Sequence, residues 1–134
     1  MLITPYHLFV YGTLLRAIQH PMHAHLARHA EFAGEAVFTG RMYDIGPYPG
    51  VVASADPADK VFGELHRVND ADALFLALDA YERCGPNDPQ PTQYVREKAI
   101  VHRPRGEPAD TWIYLYNRPV GMLPRIASGR YLER

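Results

Sequence analysis

A single cysteine, Cys84, in a chain of 134 residues leaves no internal disulfide and no multi-cysteine zinc site. Neither charge sign is in excess. Fourteen Lys and Arg stand against 15 Asp and Glu, a formal net charge of −1. No basic field is available to hold a nucleic acid or an anionic membrane through counterion release. No apolar run approaches the roughly 20 residues that a membrane helix needs. The first residues, Met1 to Thr4, carry no basic segment followed by an apolar stretch and a small-residue cleavage site. Together these shortages predict a soluble, cytoplasmic protein with neither a nucleic-acid nor a membrane partner. What is present is ordinary globular material, 47% apolar and 22% charged. The length suits one domain over residues 1–134, with a core that removes roughly two-thirds of the unfolded surface from water. Ten Gly, 12 Pro and nine Tyr predict many turns and short strands.

The run His7-Leu8-Phe9-Val10-Tyr11 reads as a buried strand, followed by a tight loop, Gly12-Thr13-Leu14-Leu15. Pro21 suits the first turn of a helix over Met22 to Glu31, with Gly34 as its stop. Strand-like pieces follow at Ala36–Tyr43, Val51–Ala53 and Lys60–Val68, divided by turn chemistry at 46–50 and at Asp56-Pro57. Asn69 or Asp70 caps the clearest helix, which runs to about Arg83. The Pro-rich segment 85–91 is a loop. Tyr94–Val101 and Thr111–Asn117 are two more strands. In the second, Trp112, Tyr114 and Tyr116 share one face, with Ile113 and Leu115 on the other. Six strands and two helices without strict alternation predict an α+β fold, a small curled or closed mixed sheet with flanking helices.

Glu82 is the most informative residue. Leu74, Phe75, Leu78 and Tyr81 make one apolar stripe on the second helix, and Glu82 falls within it. Asp72 and Asp79 point further round, toward solvent. A carboxylate on the core side is costly unless paired or functional. At a helix C-terminus the dipole also disfavours negative charge. Both effects raise the pKa, which suits a proton acceptor near neutral pH. The plain structural reading is a salt bridge to a buried Arg, or fraying of the helix end that frees the side chain into water. The loop at Gly12 to Leu14 can form an anion-binding nest of backbone N–H groups or be an ordinary turn. It is not a phosphate loop, since the second Gly and the Lys are absent. Arg96, on one strand face with Tyr94 and Lys98, is either half of a structural ion pair or a fork for a substrate carboxylate. Tyr116 could bring a phenol to the same place. His20, His23, His25 and His29 gather around the first helix. His25 and His29 have i,i+4 spacing but no surrounding metal motif, and a solvated polar face is the simpler reading. Cys84 is incidental, and Ser128 in Ser128-Gly129 is a turn residue.

These pieces, taken in order, carry a resemblance. Phe9-Val10-Tyr11-Gly12-Thr13-Leu14, Tyr48-Pro49-Gly50, Val61-Phe62-Gly63-Glu64-Leu65, Leu78-Asp79-Ala80-Tyr81-Glu82, Tyr94-Val95-Arg96 and Trp112-Ile113-Tyr114-Leu115-Tyr116 follow one another at familiar spacing. The chain resembles the gamma-glutamylcyclotransferase-like (AIG2-like) family from about Leu8 to Tyr116. The resemblance implies a small mixed β-barrel of about six strands with flanking helices and a cavity. It implies release of 5-oxoproline from a small gamma-glutamyl substrate, with neither metal nor cofactor. It implies that Glu82 is the general base and that Tyr11, Gly12, Thr13 and Leu14 bind the glutamyl moiety. Tyr94, Arg96 and Tyr116 then line or support the pocket. Two features depart from the family pattern. Arg83 and Cys84 separate Glu82 from Gly85, and the Pro-rich loop is longer than usual.

Three readings follow. The first is a gamma-glutamyl or gamma-glutamylamine cyclotransferase. The second is a non-catalytic small-metabolite-binding protein of the same fold. The third is an interaction module, which requires a filled barrel interior and an apolar outer patch. The leaving amine and the oligomeric state are not encoded in any of these motifs.

Overall fold

The computed structural model describes residues 7–18, 20–46, 48–82, 88 and 90–133. The elements run β1 (His7–Val10), α1 (Pro21–His29), β2 (Ala30–Asp44), β3 (Pro49–Ala53), β4 (Lys60–Val68), α2 (Ala71–Tyr81), β5 (Tyr94–His102) and β6 (Pro108–Tyr116). Single 3-10 turns lie at Arg16–Ile18 and Tyr131–Glu133.

The sheet order is β3-β2-β4-β1-β6-β5, and a β2–β5 pairing at Val37 and His102 closes it. Five strands therefore form a barrel, with β3 appended to the far half of β2. The closing contact is one residue pair, Val37 with His102, and β3 pairs with β2 on one side. The pair β1–β6 is parallel and every other pairing is antiparallel. The C-terminal ends of β1 and β6 consequently open at the same end of the barrel. The expected α+β mixed barrel with flanking helices is the observed fold.

Apolar side chains alternating along the strands fill the core. Leu8, Phe9, Leu65, Ile113, Val61 and Val101 are almost wholly removed from water, as are Leu26 of α1 and Leu74 and Leu78 of α2. Each such Leu or Ile contributes roughly 1.5–3 kcal/mol of transfer free energy. The carboxylate of Asp70 accepts from the N–H of Ala73 at 3.1 Å and starts α2.

The first helix departs from expectation. It ends at His29 rather than Glu31, and the chain passes directly into β2 at Ala30. Ala30 and Glu31 pair with Val68 and Arg67 of β4, so sheet hydrogen bonding overrides the local helical preference. Gly34 does not stop the helix. It sits at φ +118°, beside a shift of the β2–β4 register between Phe32 and Gly34, where only glycine is unstrained. The second helix closes at Tyr81, short of Arg83, and the N–H of Glu82 bonds the Leu78 carbonyl at 2.8 Å. Arg83, Cys84 and most of the Pro-rich loop lie outside the described residues.

Candidate active site

A cavity of about 240 Å³ opens where β1 and β6 end. Its wall comes from Phe9 to Leu14, Tyr48, Pro49, Tyr81, Glu82, Gln93, Tyr94 and Tyr114. Five segments distant in sequence thus meet at one place. The filled interior that an interaction module requires is not what is observed.

Among the described residues, Glu82 is the one charged side chain in that wall. The helical periodicity of α2 aims it there, because Leu74, Phe75 and Leu78 on the same side are buried against the sheet. Among the described residues, no hydrogen bond or ion pair reaches its carboxyl group. Burial raises its pKa, and the nearby negative charge of Asp79 raises it further, to about 7. Some exposure remains because the side chain faces the open cavity while protein surrounds it.

Tyr11, Gly12, Thr13 and Leu14 line the same cavity. The carbonyl of Gly12 accepts from the N–H of Leu15 at 3.0 Å, which closes the turn. Among the described residues, the N–H groups of Gly12, Thr13 and Leu14 donate to nothing. An unpaired N–H is costly unless water or a ligand takes it, so this turn offers three donors beside the cavity. Gly12 is also needed for space. A Cβ there would fall 2.7 Å from Pro49 Cγ.

Two phenols hold the walls together. Tyr11 donates to the Tyr114 carbonyl at 2.6 Å, and Tyr94 donates to the Pro49 carbonyl at 2.6 Å. Burial raises both phenol pKa values, and the charge of Glu82 adds to the rise. Both groups therefore stay protonated and keep donating to their carbonyl partners.

Arg96 and Tyr116 are elsewhere. Arg96 is not in the cavity wall. Its Nε and Nη2 donate to the two carboxylate oxygens of Asp79 at 2.9 and 3.1 Å, and its guanidinium stacks over Phe75 and Trp112. Of the two readings open from sequence, this geometry is the structural ion pair. Asp79 does not point to solvent as the helix pattern suggested. It accepts from Arg96 of β5 and from the Tyr114 hydroxyl of β6, and so ties the last turns of α2 to the sheet. Tyr116 supports the wall from behind, its ring edge against Tyr94 with centroids 5.7 Å apart.

The sequence patterns did not single out Tyr48, Gln93, Tyr114 or Tyr81 as cavity residues. Tyr81 was visible only as part of the apolar stripe, although a tyrosine beside the candidate base carries a polar tip. Among the described residues, no group of three or more His, Cys, Asp or Glu comes together as a metal site. No described helix is long and apolar enough to cross a membrane. Ser128 is a turn residue, its hydroxyl accepting from the Arg130 N–H at 3.1 Å beside Gly129 at φ +69°.

The motifs anticipated a small mixed barrel of about six strands, and the structure has a closed five-stranded mixed barrel with β3 appended. Residues 8–133 match the family described as gamma-glutamyl cyclotransferase, AIG2-like, and the chain belongs to it. It is 31% identical over 129 residues to the gamma-glutamylcyclotransferase family protein YtfP of Escherichia coli strain K12, covering 95% of this chain and 96% of the relative. Among solved structures, an AIG2-like protein from Mus musculus superposes with a TM-score of 0.69 at 24% identity, over 92% of this chain and 86% of that one. YkqA from Bacillus subtilis gives a TM-score of 0.71 at 24% identity over 97% of this chain. The present chain spans 40% of that longer protein. At such identities the structural likeness speaks for the fold alone.

Proposed function

We propose that the protein, acting as one domain over residues 1–134, is a gamma-glutamyl cyclotransferase. It releases 5-oxoproline and a free amine from a gamma-glutamyl amine or gamma-glutamyl amino acid in the cytoplasm. The observation that carries this reading is a carboxylate, Glu82, and three backbone N–H groups, none with a hydrogen-bond partner among the described residues, in a single cavity. A glutamyl group needs both, a negative charge for its α-ammonium and N–H groups for its α-carboxylate or a developing oxyanion.

Glu82 takes a proton from the α-ammonium. The freed amine attacks the γ-carbonyl carbon, the new C–N bond closes a five-membered ring, and the carbonyl oxygen becomes an oxyanion. Glu82 gives its proton to the departing nitrogen, and the C–N bond to that nitrogen breaks. The ring nitrogen sheds its second proton to the released amine, leaving neutral lactam and an ionised Glu82. The nucleophile is tethered to its target, so positioning supplies much of the acceleration. A carboxyl pKa near 7 lets one group serve both as acceptor and as donor. Side chains and backbone groups perform every step. Tyr94 and Tyr116 act as wall and support, and Arg96 orients α2 rather than the substrate.

The test is incubation with a panel of gamma-glutamyl amines, amino acids and peptides, with 5-oxoproline measured in the wild type and in Glu82→Gln. Release by the wild type and its loss in the variant support the reaction. Release from neither, with a panel member still bound, selects the metabolite-binding reading instead.

A further inference from the structure

The two histidines at the start of α1 do more than solvate a helix face. His20 is the N-cap of α1, and its Nδ1 accepts from the backbone N–H of Met22 at 3.0 Å. An imidazole nitrogen that accepts carries no proton, so the ring proton of neutral His20 sits on Nε2. That nitrogen lies 3.4 Å from the Tyr81 hydroxyl, with ring centroids 5.2 Å apart. Nε2–H is therefore the donor and the Tyr81 oxygen the acceptor. Thr13 Oγ1 lies 3.0 Å from the Tyr81 oxygen, and either hydroxyl can donate to the other in the free protein. An anionic ligand oxygen only accepts, so at Thr13 it takes the Thr13 proton and the Tyr81 O–H donates to Thr13 Oγ1. Thr13 and Tyr81 both line the cavity.

We propose that His20 and Tyr81 are positioning residues that fix the Thr13 hydroxyl as a hydrogen-bond donor to an anionic oxygen of the bound ligand. Tyr81 does not donate to His20, since both ring nitrogens would then have to be bare, which would make the ring an imidazolate. A second strut holds the same loop. His23 Nδ1 lies 3.0 Å from the Leu14 carbonyl, and since a carbonyl only accepts, that nitrogen bears the proton. The first turn of α1 thus grips the donor loop at Thr13 and at Leu14. Thr13 adds a fourth, directed donor to the three backbone N–H groups and biases the cavity further toward an anionic group. The inference rests on the cavity's being the ligand site, but the Nε2–H tautomer of His20 holds without any ligand.

Two measurements test it. The first is the tautomer of His20, read from ring nitrogen NMR of the neutral ring in the free protein. Nε2–H is expected, and Nδ1–H overturns the proposal whether or not the protein turns over any substrate. The second is a KM-against-kcat comparison on a turned-over gamma-glutamyl compound. Thr13→Val and Tyr81→Phe should each raise KM roughly tenfold, the loss expected for a hydrogen bond to a charged group, with a smaller change in kcat. Thr13→Ser should restore most of the Thr13→Val loss. The double variant should be no worse than Thr13→Val alone, because Tyr81 acts through Thr13. An unchanged KM in Tyr81→Phe, or losses that add in full, overturns the proposal. His20→Ser, which keeps a capping side chain but cannot reach Tyr81, serves in place of a Tyr81→Phe chain that does not fold. A wild type that releases no 5-oxoproline removes the proposed reaction, and the tautomer alone then decides the hydrogen-bond chain.

Discussion

Two carboxylates in this molecule are enclosed by protein and have opposite fates. Asp59, 6% exposed, accepts from Arg41 Nε at 2.6 Å, Ser54 Oγ at 2.6 Å and Arg125 Nη2 at 2.8 Å. The Ser54 hydroxyl and the two guanidinium groups hold its carboxyl well below the usual carboxylate range. It is a clasp. It joins the β3–β4 turn to β2 and to the closing segment at Arg125. Glu82 receives no donor from any described residue, and burial plus the charge of Asp79 pushes it up to about 7. Burial alone does not decide what a carboxylate does. A full set of donors makes it permanently ionised and structural, and their absence leaves it with proton affinity to spend on a substrate.

The largest way to break the comparison is to make Glu82 an amide. Glu82→Gln keeps the shape, and turnover should fall by roughly 10² or more, the scale of a general base, while binding persists. Turnover equal to the wild type would place the chemistry elsewhere. Gly12→Val should come next. Its Cβ meets Pro49 at 2.7 Å, so the donor loop must shift, and weaker ligand binding with a lowered Tm is expected. Stability should then separate the two carboxylates by sign. Glu82 has a raised native pKa, so its ionisation weakens the fold as pH rises from about 4.5 through 7. Glu82→Gln should therefore be more stable than wild type at pH 8, by roughly 1–3 kcal/mol in denaturant melts. Asp59 has a depressed native pKa, so its contribution is present above the ordinary carboxylate range and lost in acid. Asp59→Asn should lower Tm at neutral pH and converge with wild type in strong acid. The smallest effect sharpens the picture. Asp79→Asn removes the like charge near Glu82 and should move the acid limb of the kcat/KM profile slightly downward in pH. A limb that moves upward would mean that the loosened Arg96 clasp, not charge, dominates.

What could be read from the sequence follows the range of the forces involved. β1, β4 and the cap at Asp70 are set by neighbours within a few residues, and they stand where the patterns put them. Glu82 was legible for the same reason, since its aim depends on the period of its own helix. β2 was read too short because its first residues are extended only through pairing with β4, some 35 residues away. Arg96 and Asp79 were both noticed, but not their meeting, which requires knowing that α2 lies over β5 and β6. Tyr11 was assigned to the cavity. That its phenol is committed to a carbonyl 103 residues away could not be seen in any local pattern. The histidines were read as a polar face because their partners, Tyr81 and Leu14, come from other elements.

The most direct test of the contrast is the carboxyl titration of Glu82 itself, followed by NMR of side-chain carbon in the ligand-free protein. A midpoint near 7, with Asp59 still ionised at the lowest pH at which the fold survives, is the expected result. A Glu82 midpoint near 4.5, the value of an ordinary exposed glutamate, would contradict the account, since a carboxylate that acidic has no more claim on the substrate's proton than any other on the surface.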